Sequence, residues 1–224
     1  MIDLDRVSKI FRLGDEEVTA LREVTLGIGH GEYVAIMGPS GSGKSTLLNM
    51  IALLDQPTSG RYRLDGVDVT SLPDDALARV RRENFGFVFQ FFHLIGRLTA
   101  AENVEVPLIL AGVAPDERAA RVGAALEAMG LSNRARHRPD QLSGGQRQRV
   151  AVARATILGP QVILADEPTG NLDQASGRMI IELLEGLNAR GTALIVVTHD
   201  ADIGRRARRQ LRMVDGRIVT DSEA

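Results

Sequence analysis

The chain has 224 residues, 44% hydrophobic and 25% charged, an ordinary balance for a globular protein with one sizeable core or two smaller ones. Its 27 Lys+Arg against 29 Asp+Glu give a net charge of −2, so no basic excess points to nucleic acid as a partner. Cysteine is absent, which excludes a disulfide framework and a thiolate metal site.

The opening MIDLDRVSKIF carries two acids and no long apolar run, unlike a signal peptide. Apolar/polar alternation predicts strands over Met1–Arg12 and Val18–Ile28, with Gly14-Asp15 between them. Tyr33–Met37 reads as a short buried strand, followed by a glycine-rich turn and a helix over Lys44–Leu54. Gly60–Gly66 predicts a hairpin with an Asp-Gly turn. Asp74–Arg82 is a charged helix and Phe85–Phe89 another strand.

Residues 91–158 change character. Strong helix formers fill Asp116–Met129, and a second helix runs from Gly145 to about Leu158, so this part reads as a helical insert. The longest near-apolar stretch, Val104–Ala114, is interrupted by Glu105 and is far short of the roughly 20 residues of a membrane span. The chain is therefore not expected to cross a bilayer itself. Val162–Ala165 and Ala193–Val197 are continuous apolar runs, the mark of buried parallel strands, with an amphipathic helix over Ser176–Arg190 between them. The arginines of Arg205–Arg212 are expected on a solvated helix face, and the tail after Thr220 is expected to be unstructured.

The strongest chemical signal is Gly38-Pro39-Ser40-Gly41-Ser42-Gly43-Lys44-Ser45-Thr46, which fits the phosphate-binding loop pattern. Glycines let backbone N–H groups turn inward toward anionic oxygens, and the helix that follows adds its N-terminal potential. Lys44 would bring a full positive charge to the β/γ-phosphates, and Ser45 a hydroxyl oxygen to Mg²⁺. A second signal is the apolar run that ends in Asp166-Glu167, at the strand end where open α/β sheets bind ligands. Asp166 can hold Mg²⁺ through water, and Glu167 can polarise an attacking water as general base. Gln90 after FGFVF and His199 after ALIVVT are further polar residues at strand ends. Gln90 can bind the metal or its water, and neutral His199 can donate to the γ-phosphate.

Leu142-Ser143-Gly144-Gly145-Gln146 runs small residues straight into a helix start, a second anion-binding surface. It could cap the same nucleotide or serve the nucleotide of another copy, and spacing leaves both open. After Gln90, the apolar cluster of Phe91, Phe92, Leu94 and Ile95 leads into Gly96–Thr99. It could fill the insert's own core or mark an interaction site.

Taken together, these motifs resemble those of the ATPase subunits of ABC transporters over nearly the whole chain. GPSGSGKST looks like their Walker A loop, VILADE their Walker B strand, Gln90 their Q-loop and LSGGQ their signature. Gly170–Asp173 resembles the D-loop, with Asp173 its acid, and His199 the switch histidine. TAAENVEVPL, LADEPTGNLD and VVTHD are similar to the branch of lipoprotein-release and macrolide-export ATPases, with the cell-division ATPase nearby. The resemblance implies an α/β, P-loop NTPase core with a mostly parallel sheet, an N-terminal antiparallel β-region and a helical insert. It divides the chain into a first part of the ATP-binding core at 1–90, a helical subdomain at 91–158 and a second core part at 159–224. It implies ATP and Mg²⁺, and a head-to-tail dimer with each ATP between one chain's Walker A and the other's signature. It implies a separate integral membrane permease docking near Phe91–Thr99, with Phe92 and Leu94 as contacts, and a cytoplasmic place on the inner face of the cell membrane. Phe11 matches the position of the family's adenine-stacking tyrosine, and packing within the β-region is its other reading. A regulatory ATPase that signals through a membrane partner without transport is the alternative function. A single motif set and no heptad run set aside the soluble DNA-repair and translation relatives.

Overall fold

The computed structural model describes residues 1–14 and 16–223, with Leu13 by its backbone alone. Asp15 of the expected Gly14-Asp15 turn lies outside the described residues. Contacts divide the chain into two compact units, Met1–Arg81 with Asn188–Ala224, and Arg82–Leu187.

In the first unit, β1 (Ile2–Leu13) and β2 (Glu16–Ile28) form a long antiparallel pair. β4 (Ser59–Leu64) and β5 (Val67–Asp68) extend it in the order β2-β1-β4-β5. Alternation turns Leu4, Leu21, Leu26 and Tyr62 inward and leaves charged residues outside. Asp65-Gly66 makes the expected tight turn, both residues having positive φ (49° and 79°). A second sheet runs through β3 (Tyr33–Met37), β8 (Ala193–Val197), β9 (Arg209–Val214) and β10 (Arg217–Glu223) in the order β10-β9-β3-β8. β3 is parallel to both β8 and β9. β3 and β8 are nearly all buried, as their unbroken apolar sequences require. Helix α1 (Lys44–Ile51) turns Leu47, Leu48, Met50 and Ile51 inward, and the charged helix α2 (Asp74–Asn84) follows β5 in the chain.

Two expectations are corrected at the C-terminus. Residues after Thr220 are not unstructured: Asp221, Ser222 and Glu223 continue β10 opposite Leu211, Gln210 and Arg209. The arginine run is not one helix face, since α7 (Ala201–Arg206) ends before Arg209 enters β9. Arg209 is held by Asp221 at 2.7 Å and by Glu32 at 2.8 Å; these carboxylates push its pKa up, and its guanidinium draws that of Asp221 down.

The second unit has one parallel strand pair, β6 (Phe85–Phe89) with β7 (Val162–Asp166), in register from Phe85↔Val162 to Phe89↔Asp166. Its helical part consists of α3 (Ala100–Leu110), α4 (Pro115–Ala128) and α5 (Gly144–Thr156). Ala100, Val104, Leu108, Leu126, Leu131, Val150 and Ala153 build their common core. Each fully buried leucine there contributes about 1.5–3 kcal/mol. Thr99 and Glu102 close a capping box at the start of α3. Helix α6 (Gln174–Asn188) follows β7.

Candidate nucleotide site

The phosphate loop joins β3 to α1 in the first unit. Gly38 has φ 147°, and a Cβ there would lie 2.2 Å from the Met213 carbonyl oxygen. Gly43 has φ 96°, and a Cβ there would lie 2.4 Å from the Ala20 carbonyl oxygen. Only glycine satisfies both constraints, so the backbone wraps as the pattern requires. Gly43 caps α1 without a side-chain bond, which leaves the first-turn N–H groups for an anion. Lys44 folds back over the loop and donates to the Gly38 and Pro39 carbonyls, both at 2.8 Å. The Ser42 hydroxyl is buried without a hydrogen-bond partner among the described residues. Pro39, Ser40, Gly41 and Ser45 are exposed, and Thr46 is half-buried at the helix start. This is a cradle of donors and one ammonium, which fits a polyphosphate.

His199 belongs to the same unit. The buried Thr198 follows β8, donating its N–H to the Ile36 carbonyl and accepting the Asp200 N–H, and this brings His199 out exposed just beyond the strand. Phe11 is 38% exposed on β1, opposite Val18, with the Lys9 ammonium 5.1 Å from its ring centre. Its ring is therefore at the surface and not in the β-sheet core.

The second unit holds the remaining expected residues. Asp166 ends β7, and Glu167 follows at φ 45°, a left-handed conformation costing a non-glycine residue about 1–3 kcal/mol. Such strain persists only where the surroundings over-determine it. Gln90 follows β6, which places it and Glu167 just past paired strand ends. Gly170 leaves room for the Gln90 side chain, and Asn171 donates to the Gln90 carbonyl at 3.0 Å. Asp173 accepts the Ser176 N–H at 2.9 Å and the Ser176 hydroxyl at 2.8 Å, which hold its carboxyl below the usual range. Its carboxylate thus steadies the start of α6.

The signature forms the first turn of α5. Ser143 and Gln146 make a reciprocal capping box, Ser143 Oγ accepting the Gln146 N–H and Gln146 Oε1 accepting the Ser143 N–H. The N–H groups of Gly144 and Gly145 have no acceptor within the helix. A Cβ on Gly145 would meet the Ser176 hydroxyl at 2.8 Å, and one on Gly144 the Leu172 side chain at 3.3 Å. Signature and D-loop are therefore packed against each other.

The segment after Gln90 departs from expectation. Phe92 is buried, with the Arg147 guanidinium 4.9 Å from its ring centre, and Leu94 packs on the helical core. Phe91 (67%) and Ile95 (39%) are the exposed apolar residues. Arg154 donates to the Phe92 and His93 carbonyls at 2.9 and 2.6 Å, holding two successive residues at positive φ. Burial pulls the Arg154 pKa down. Fully buried Asn103 binds the backbone of Ile95, Leu98 and Thr99. Neither Asn103, Arg154 nor buried Gln148 was singled out from sequence. The available signal was a polar residue on the apolar face of a helix.

The loop and strand-end geometry accompanies a match to the ABC transporter family model over residues 21–170. This chain belongs to the ABC transporter family. It is 52% identical over its full length to the macrolide export ATP-binding/permease protein MacB of Marinobacter nauticus, of which it covers 35%. It thus spans about a third of the length of such curated relatives. It is also 50% identical to the ABC transporter ATP-binding protein YvrO of Bacillus subtilis, covering 99% of this chain and 96% of YvrO. The ABC cassette fold is seen in a dimeric post-hydrolysis structure of the ATP-binding cassette MJ0796 bound to ADP and Pi, at 46% identity and TM-score 0.93. That match covers 100% of this chain and 98% of the other.

Proposed function

We propose that this chain binds and hydrolyses ATP and thereby powers a permease, in the manner suggested by its macrolide-export relatives. The observation that carries the reading is the cradle of Gly38–Thr46, in which a lysine ammonium and uncapped helix N–H groups converge. Lys44 exchanges its two loop carbonyls for β/γ-phosphate oxygens. His199 donates a hydrogen bond to the γ-phosphate, and Glu167 takes a proton from the attacking water. The exposed ring of Phe11 offers a face for adenine.

Mg²⁺ suits the donors Ser45, Gln90 and Asp166, all hard oxygens. Among the described residues no group of three or more His, Asp or Glu is clustered for a metal. When bound, the ion neutralises charge developing on the phosphates. Residues 91–158 serve as a helical subdomain between the core segments 1–90 and 159–224. Ser143, Gly144, Gly145 and Gln146 serve the ATP of a second copy in a head-to-tail dimer. Among the described residues no helix is long and apolar enough to cross a membrane. The chain sits on the inner face of the cell membrane through a permease that docks near Phe91–Thr99.

The test is phosphate release from ATP by the purified chain with magnesium, and its loss on chelation. Calorimetry should show that Lys44→Ala loses tight ATP binding. Wild-type affinity in that variant would remove the loop from the site.

A further inference from the structure

Gln148 lies on α5, two residues beyond the signature, and is fully buried. Its Nε2 donates both hydrogens to backbone carbonyls, that of Phe89 at 3.2 Å and that of Pro168 at 2.6 Å. Phe89 immediately precedes Gln90, and Pro168 immediately follows Glu167. One side chain therefore spans the ends of β6 and β7 beside both residues. Its Oε1 is buried without a partner among the described residues. A residue kept only to fill the core would not carry that cost, since methionine occupies similar space without a polar atom to bury.

We propose that Gln148 is a positioning residue that sets the placement of Gln90 and Glu167 and ties both to the signature helix. The proposal rests on the reading of Glu167 as the base. The left-handed Glu167 backbone is one of the conformations that a bond to the next carbonyl helps to enforce.

The experiment combines Gln148→Met with Glu167→Gln. Gln148→Met should keep ATP affinity within about twofold by calorimetry and stay folded, its melting temperature falling by a few degrees for the two lost hydrogen bonds. Its kcat should fall about 10- to 100-fold, the range expected for a misplaced group. In the Glu167→Gln background, single-turnover rates should show a clearly smaller loss from Gln148→Met than the single variant shows, the remainder acting through Gln90. Unchanged kcat in the single variant, or losses that multiply in the double variant, would overturn the proposal. Normal turnover by Glu167→Gln alone would instead overturn the assignment of the base. Should Gln148→Met not fold, Gln148→Glu gives a second measurement. Its carboxyl donates only when protonated, so its kcat relative to wild type should rise from about pH 8 to about pH 6. A flat ratio would sink the idea equally.

Discussion

Gly170 lies so close to Gln90 that a Cβ at 170 would sit 2.6 Å from the Gln90 Nε2 and 3.1 Å from its amide carbon. The D-loop thus leaves a space that the Q-loop side chain fills. Gly170→Ala should displace the Gln90 amide without touching the phosphate loop. ATP affinity is expected to hold while turnover falls about tenfold or more. Steady-state kinetics with calorimetry on the same variant checks this; an unaltered kcat would show that the placement of Gln90 is not critical.

Glu167→Gln preserves shape and removes the basic carboxylate. Turnover should fall by about 10²–10⁴-fold with ATP still bound. Size-exclusion chromatography with ATP and magnesium should then show the variant accumulating as a dimer. A monomer under those conditions would count against the head-to-tail dimer with ATP between its chains.

Mixing a Lys44→Ala chain with a Ser143→Arg chain leaves one composite site in the mixed dimer, made from the second chain's loop and the first chain's signature. Some ATPase activity should appear that neither chain has alone. If the mixture stays inactive although the chains associate, sites in trans that work independently are ruled out.

In the segment proposed to dock, Phe91 and Ile95 are the exposed apolar residues. Replacing either with Ser should leave melting temperature and basal turnover unchanged and abolish capture of the co-expressed permease. Phe92→Ser should behave differently, because its ring is buried under Arg147. A loss of about 3–5 kcal/mol is expected by analogy with Phe→Ala in cores. Thermal denaturation of the two sets separates them, and equal melting losses would place Phe91 in the core.

Much of this was legible in the sequence because the chemistry is local. The loop, the two carboxylates and LSGGQ each sit in a short run whose period marks the flanking element. Unbroken apolar runs likewise announced β3, β7 and β8. What escaped were relations between distant segments. For Phe92 and Leu94 the sequence leaves core and contact surface both open, because no local pattern reveals that Arg147 and the helical core cover them. The tail after Thr220 read as unstructured because Arg209, twelve residues before Asp221, supplies the pairing that orders it. Gln148 and Asn103 make non-local backbone bonds that a pattern of polarity hints at but does not direct.

The hold of Arg154 on the Phe92 and His93 carbonyls gives α5 a mechanical character. The signature caps one end of this continuous helix, and eleven residues later Arg154 grips the segment that carries Phe91. At 1.5 Å per residue the lever is about 16 Å long. A tilt of about 10° at the signature would therefore move the gripped segment by about 3 Å. Nucleotide chemistry and permease contact would then share one rod, with no flexible joint between them.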